Sequence, residues 1–336
     1  MKRTSLKEIS RITGFSVTTV SMVLNGRAEE FNIAEKTKLR ILEAAETHNY
    51  RPNLHARNLR NKTSNILGLM VPALTNRFFS SMAETFEKLA RDNDKFALIT
   101  VTHHDRKEEL NAVEYFVSQN ADCIFTANPT ALSEVSEVCS SAGIEQIVLD
   151  APESGKCTVT TDNFTAARDL TRRLLKAMNE ARCTGRVYYI GGMETHSVTQ
   201  QRLQGFVKAL EEEGRAFARD QFVPTPFDPQ AASEAFARLF ADKTDIDGIF
   251  INSLNLMEGL IRYFPQNAEA CRGVHYGVFD YHPIMGLMNL NVLSVMQDAD
   301  RMMQTAYEIY AGGTTDAERR IFHIPYRIIP PPVFSP

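Results

Sequence analysis

From residue 66 onward, short apolar runs alternate with longer amphipathic stretches, and few folds can absorb that pattern. Residues 66–71, 96–101, 122–126 and 145–149 read as strands, with helices predicted over 77–92, 105–119 and 130–142 between them. A crossing segment near 158–161 leads to a second set: helix 163–179, strand 186–190, helix 197–213, strand 220–223, helix 228–241, strand 247–251, helix 254–263 and strand 274–279. A last strand at 291–296, a helix at 298–311 and a Pro-rich end follow. Apolar strands separated by helices form parallel sheets covered on both faces. Two such sets predict two similar α/β lobes. Ligands of parallel sheets bind beyond the carboxyl ends of the strands, which here become the cleft between the lobes. A chain of 336 residues, 43% of them hydrophobic, can fill the cores this requires.

Residues 1–50 follow a different rule. Leu6, Ile9 and Ile12 recur at helical spacing and are expected to form one buried stripe over 6–13. Gly14 permits the positive φ of a break, and Ser16 can cap a second helix over 17–24 by accepting from the Thr18 or Thr19 amide. Val20, Val23 and Leu24 form its inner face, leaving Val17, Thr18, Ser21 and Met22 to point outward. Asn25-Gly26 is a stop signal, and a third helix is predicted over 34–48. Two short helices folded around a tight turn can place the second in a DNA major groove, although an ordinary helical hairpin would read alike on this stretch alone.

Charge favours the DNA reading. Residues 1–62 hold 12 Lys and Arg against 6 Asp and Glu, a balance of +6. The remaining 274 residues hold 25 against 35, a balance of −10, within a net charge of −4. A basic head on an acidic body suits a polyanionic partner that touches only the head. Residues 53–63 form a short basic segment carrying Leu54, Ala56 and Leu59, too short and polar to fold alone.

Other chemistry is excluded or weak. No apolar run approaches the ~20 residues of a membrane span, and no apolar signal region follows Met1, so a cytoplasmic location is expected. The five cysteines are scattered without CxxC spacing, which predicts reduced thiols and neither a disulfide frame nor a zinc site. His103-His104-Asp105 lacks a third metal ligand at suitable spacing and reads as a solvated loop. Gly191-Gly192 lacks the rest of a dinucleotide fingerprint. Glu211–Glu213 read as an exposed helix end. With no nucleophile set legible in the order of the chain, the expectation is a non-enzyme with neither cofactor nor metal.

Seven landmarks, in order and at consistent spacing, carry a family resemblance: Leu6-Lys7-Glu8-Ile9-Ser10, Gly14-Phe15-Ser16, Thr19-Val20-Ser21, Val23-Leu24-Asn25-Gly26, Tyr50-Arg51-Pro52-Asn53, Ala56-Arg57-Asn58-Leu59 and Gly68-Leu69-Met70-Val71-Pro72. The chain resembles the LacI/GalR family of bacterial transcription regulators over essentially its full length. Extra residues at 26–33 and the segment 256–263 are similar to the branch holding the sucrose-operon and fructose repressors. The resemblance implies an α/β fold: a helix-turn-helix DNA-binding domain at 1–50, a hinge at 51–63, and a two-lobed, periplasmic-binding-protein-like effector and dimerisation domain with parallel sheets at 64–336. Its first lobe is expected to comprise about 64–161 and 292–322, and its second about 162–291 and 323–336.

The same resemblance implies a homodimer reading a palindromic operator. Val17, Thr18 and Met22 stand where the family contacts bases; valine and methionine can meet a thymine methyl and Thr18 can hydrogen-bond, with no Arg–guanine pair at these positions. Thr4, Ser5, Ser16, Thr19, Ser21, Asn25 and Lys36 are candidate phosphate contacts, and Arg27 is a contact to phosphate or base. In the hinge, Asn53, Ala56, Arg57 and Arg60 accompany Leu59, which matches the leucine that the family levers into the minor groove. Effector contacts carried over are Asp150, Arg202 and Asp280, with Ser253 where many members have Asn. Asn76, Phe78, Phe79, Asp162 and Tyr281 come from loops at the same edge. Carboxylates accept from sugar hydroxyls and a guanidinium donates in a fixed fork, so a sugar or a sugar phosphate is implied. Effector binding is expected to close the lobes and change whether paired hinges form on DNA. No heptad extension is seen before Pro336, so a dimer without a coiled-coil tetramer is expected. Three alternatives stay open: a sugar-binding protein without DNA function, a regulator responding to a nucleobase or nucleoside, and a two-domain enzyme.

Overall fold

Three short helices close around Ile9, Val20 and Ile41 near the start of the chain. Helix α1 (Leu6–Thr13) begins at Ser5, whose hydroxyl accepts from the Glu8 amide while the Glu8 carboxylate accepts from the Ser5 amide. Gly14 turns the chain over at φ 76°, where a Cβ would be strained. Ser16 then caps α2 (Val17–Leu24) by accepting from the Thr19 amide at 3.0 Å. Helix α3 (Glu35–Thr47) completes the core through Ile41 and Ala45. The expected Leu6–Ile9–Ile12 stripe is corrected: Ile12 is 42% exposed and Thr13 lies inside. Thr13 is four residues from Ile9 and shares its face, and its hydroxyl is satisfied by donating to the Ile9 carbonyl at 2.8 Å.

The computed structural model describes residues 4–50, 64–151, 156–194, 196–313 and 320–331. The chain divides into two units, Met1–Ser64 and Asn65–Pro336. The hinge candidates Asn53, Ala56, Arg57, Leu59 and Arg60 lie outside the described residues.

Two six-stranded sheets make up the second unit. In chain order its elements are β1 (Ile66–Val71), α4 (Arg77–Asp92), β2 (Phe96–Val101), α5 (Arg106–Ser118), β3 (Cys123–Ala127), α6 (Leu132–Ser141), β4 (Glu145–Leu149) and β5 (Cys157–Thr160). The second half holds α7 (Asn163–Glu180), β6 (Arg186–Gly191), α8 (Ser197–Glu212), β7 (Phe222–Pro224), α9 (Pro229–Asp242), β8 (Ile246–Ile251), α10 (Leu254–Tyr263), a short α11 (Ala268–Cys271), β9 (His275–Phe279) and β10 (Asn291–Met296). Helix α12 (Ala299–Ala311), β11 (Ile321–His323) and β12 (Arg327–Ile329) follow. The first sheet runs β11-β5-β4-β3-β1-β2, all parallel; the second runs β12-β10-β9-β8-β6-β7, with β12 antiparallel at its edge.

Strand β10 revises the expected lobe boundary. It pairs with β9 and buries Val292, Leu293 and Val295 in the second sheet, so residues 291–296 belong to the second lobe. The chain crosses to the first lobe only at Gln297-Asp298. Hydrophobic pattern identifies a strand but not the sheet it joins, and β11 and β12 are too short for any pattern. In each sheet the strand order reverses beside its first strand, β2-β1-β3 and β7-β6-β8. Those switch points open a crevice at the strands' carboxyl ends.

Candidate functional site

The second helix of the first unit exposes Val17 and Thr18, with Thr19 and Met22 half-exposed. Ser21 corrects the sequence reading: it is only 7% exposed, and Asn25 Nδ2 donates to its hydroxyl at 3.2 Å and to its carbonyl at 2.7 Å. A serine three residues from Thr18 turns inward because the helix packs Val20 and Val23, and Ser21 flanks them. Thr4 donates to the His48 carbonyl at 2.9 Å, joining the ends of the unit, while Ser5 and Ser16 serve as helix caps. Arg27 is exposed, forked onto the Glu30 carboxylate and stacked over the Phe31 ring at 4.9 Å. Pairing with Glu30 raises the Arg27 pKa and lowers that of Glu30. Lys36 is exposed on the first turn of α3.

In the second unit a cavity of about 250 Å³ sits between the two sheets at their carboxyl edges. Such a volume lies near the small end of the ~300–1,000 Å³ range of ligand sites. Asp150 follows β4, Asp280 follows β9, and both adopt left-handed backbone, at φ 45° and 75°. His103, His104 and Asn128, after β2 and β3, do the same. Non-glycine residues in this region cost backbone energy and concentrate at functional sites. Here the conformation ends each strand abruptly and aims a polar side chain over the crevice.

Arg202, on the second turn of α8, anchors the floor. Its Nε donates to Asn163 Oδ1 at 2.8 Å, its Nη1 donates to the Asn252 carbonyl at 2.7 Å, and its plane lies 3.5 Å from the centre of the Phe279 ring. Burial lowers its pKa, while the charges of Asp280 and Asp150 oppose that shift. Asp280 accepts from Gln297 Nε2 at 2.7 Å. Asp150 is 2% exposed, and its Oδ1 has no hydrogen-bond partner among the described residues. Burial pushes its carboxyl up to about 7; Arg202 opposes the shift and Asp280 adds to it. Asn255 Oδ1 and Gln297 Oε1, also in the lining, are buried acceptors without partners among the described residues.

Against known proteins, residues 5–53 match the model described as bacterial regulatory proteins, lacI family, and residues 67–309 match the periplasmic binding protein domain. The ribitol operon repressor of Klebsiella aerogenes is 32% identical over 195 residues, covering 57% of this chain and 72% of that protein. The chain belongs to the lacI family of bacterial regulatory proteins. The sucrose operon repressor of Klebsiella pneumoniae is 27% identical over 311 residues, covering 92% of this chain and 91% of that one. A solved structure of the Cra transcriptional dual regulator from Pseudomonas putida, in complex with fructose 1-phosphate, superposes with a TM-score of 0.71. At 20% identity, over 80% of this chain and 99% of that one, it shares the fold.

Within this lacI-family chain the structure gathers Asn76, Phe78, Phe79, Asp150, Arg202, Ser253 and Asp280 around one cavity. Tyr281 is a correction: it lies outside the lining. Asp162 caps α7, accepting from the Thr165 amide and hydroxyl, and is also outside the lining. His103-His104 is the second correction. His104 is no solvated loop residue: it is half-buried in the cavity wall and stacks on His196 of the second lobe with ring centres 5.5 Å apart. His196 in turn stacks on Phe227 at 5.7 Å. Burial, and then the neighbouring His196 and His103, press the His104 pKa down to about 4, so the ring is neutral in neutral solution. Sequence reasoning also missed Asn128, Phe227, Asp228, Asn255 and Gln297. Asn128, Phe227, Asp228 and Gln297 lie in loops leaving the carboxyl end of a strand and Asn255 in the first turn of α10 just beyond β8, and inspecting the chain after every strand would have found them.

Among the described residues no helix is long and apolar enough to cross a membrane, and the five cysteines are free thiols.

Proposed function

We propose that this chain is a sugar-controlled repressor of a carbohydrate-utilisation operon, working in the cytoplasm as a homodimer on a palindromic operator. The single observation that carries the effector half is the cavity at the sheet edges, where Asp150, Arg202 and Asp280 converge from three different loops and helices. Two carboxylates facing one guanidinium suit vicinal hydroxyls, which donate to the former and accept from the latter. Asn76, Phe78 and Ser253 complete the wall, the phenyl ring offering an apolar face to a sugar's C–H groups. Relatives bearing sucrose, ribitol and fructose 1-phosphate in their names or complexes support a carbohydrate effector, free or phosphorylated.

On the DNA side, Val17, Thr18 and Met22 read base edges by methyl contact and one hydrogen bond. Thr4, Ser5, Ser16, Thr19, Asn25 and Arg27 meet the backbone, with Ser21 holding Asn25 in place. Residues 51–63 act as the hinge, with Leu59 as the groove wedge. The working division is a DNA-reading domain at 1–50, the hinge, and an effector domain at 64–336 whose second lobe takes in β10. We read the cleft as binding and not catalytic. Effector closure of the lobes shifts the dimer between hinge-competent and hinge-splayed states.

Fluorescence anisotropy of labelled DNA from upstream of the chain's own gene tests this. Saturating effector is expected to weaken specific binding by ~5–150-fold, the usual span of allosteric coupling. Operator affinity unmoved by every sugar, sugar alcohol and sugar phosphate tried would overturn the reading.

A further inference from the structure

Resting on the sugar-responsive reading of the same cleft, we infer that its effector is an uncharged polyhydroxy compound, a free sugar or sugar alcohol, and that the corresponding phosphate ester is rejected.

The first observation is what the wall lacks. Asp150 Oδ1, Asn255 Oδ1 and Gln297 Oε1 are buried acceptors with no partner among the described residues. The two amides cannot be turned over to relieve this. Gln297 Nε2 already donates to Asp280 at 2.7 Å, and Asn255 Nδ2 donates to the Phe227 carbonyl at 3.2 Å. A buried acceptor left alone costs free energy, so the ligand that belongs here brings donors. Sugar hydroxyls donate. A phosphate dianion only accepts.

Charge gives a second, independent argument. The lining holds the carboxylates of Asp228 and Asp280 and the part-ionised carboxyl of Asp150 against one guanidinium, Arg202, with His103 and His104 the other titratable groups. Arg202 already lies in the field of two of those carboxylates. His104 is held neutral by burial and by its neighbours. A phosphate monoester brings about −1.5 to −2 charges into this field at neutral pH.

The helix ends give the third. Helices α4, α9, α10 and α12 start at the cleft edge, and a helix N-terminus ordinarily welcomes an anion. Each is closed by its own side chain instead. Asn76 accepts from the Phe78 amide, Asp228 from that of Ala231, Ser253 from that of Leu256 and Asp298 from that of Arg301. Two of these caps are themselves carboxylates, so at these four starts the chain fills the position a phosphate would take; α8, which brings Val198 and Arg202 to the lining, has no side-chain cap.

Calorimetric titration of the full chain with matched pairs decides the matter: fructose against fructose 1-phosphate, and ribitol against ribitol 5-phosphate, with operator release read in parallel. The neutral member of one pair is expected to bind and its phosphate to bind at least ~100-fold more weakly, since like-charge juxtaposition costs several kcal/mol and each 1.4 kcal/mol is tenfold. Asp228→Asn keeps the helix cap and removes one charge, and is expected to narrow that ratio severalfold. Asp280→Asn narrows it further. A phosphate that binds as well as or better than its parent overturns the inference and leaves the sugar-responsive reading standing. If no member of any pair binds or releases operator, the inference falls together with the reading beneath it.

Discussion

Asp150 concentrates the chemistry of the cleft in one carboxyl. It is held by left-handed backbone at the end of β4, buried beside Arg202 and Asp280, with one oxygen unpartnered among the described residues. Burial raises its folded pKa from 3.8 to about 7, so the folded chain keeps this proton to higher pH than the unfolded chain does. Stability contributed by the protonated form is therefore present at low pH and is lost as pH rises from about 4 through about 7. Asp150→Asn cannot ionise and removes that loss. In the effector-free protein its stability is expected to exceed the parent's above pH 7, by on the order of 4 kcal/mol at pH 8, with the gap closing toward pH 4. Calorimetric melts across that range check it, and a variant less stable than the parent at pH 8 would show that the carboxylate is stabilised where it sits. On the proposed reading, in which the effector donates to this carboxylate, it is expected to bind the same variant at least tenfold more weakly.

At the scale of elements, helix pairs set the geometry that the cleft inherits. Helix α8 crosses α7 so closely at Gly205 that a Cβ there would fall 2.2 Å from the Phe164 carbonyl oxygen and 3.0 Å from the Arg168 amide. Gly259 does the same between α9 and α10, where a Cβ would fall 2.3 Å from that of Ala232. Arg202 stands one turn before Gly205 on α8 and is tied to Asn163 at the start of α7. Gly205→Ala must therefore push the helices apart, costing ~1–3 kcal/mol of stability in the second unit and stretching the Arg202–Asn163 bond. Denaturant melts read the first effect and effector titration the second. Unchanged effector affinity in a destabilised variant would separate Arg202 from this contact.

Elements were the most legible part of the sequence. The four-residue β5 was expected only as a crossing segment and the four-residue α11 not at all. The other strands and helices from β1 to α12 lie within a residue or two of their expected places, because apolar spacing reports which face is buried. What spacing does not report is pairing across the chain. Strand β10 joined the unexpected sheet, and the three-residue strands β11 and β12 had no period to read. The cleft was half legible for the same reason. Asp150, Arg202, Ser253 and Asp280 carry a family pattern, whereas Asp228, Asn255 and Gln297 become neighbours only once distant loops meet at one edge. On α2, Ser21 misled because a polar residue was assigned to the outer face, while Asn25 satisfies its hydroxyl from within.

For the molecule as a whole, the two lobes of the second unit are tied by three crossings of the chain, after β5, after β10 and after β11, and by a contact that has no covalent part. His104 reaches from the first lobe to stack on His196, which stacks on Phe227 of the second. Aromatic pairs of this kind contribute ~0.5–1.5 kcal/mol beyond the area they bury, comparable to the free energies that bias lobe closure. Only a neutral ring fits, since a charge on His104 would face His103 and His196 in a half-buried site. Its folded pKa lies near 4, below the ordinary 6.5, so the unfolded chain takes up this proton first. Stability is then lost as pH falls from about 6.5 to about 4, opposite in sign to the Asp150 effect over an overlapping window. His104→Phe keeps a ring in the stack and has no proton to bind. Measured in an Asp150→Asn background to remove the opposing slope, its stability relative to its parent is expected to rise steadily as pH is lowered from 6.5 to 4. His104→Ala, which removes the ring, is expected to lower effector affinity at neutral pH where His104→Phe does not. A parallel pH profile for the His104→Phe variant and its parent would mean that the ring takes its proton without leaving the stack, and the stack would then bridge the lobes without sensing charge.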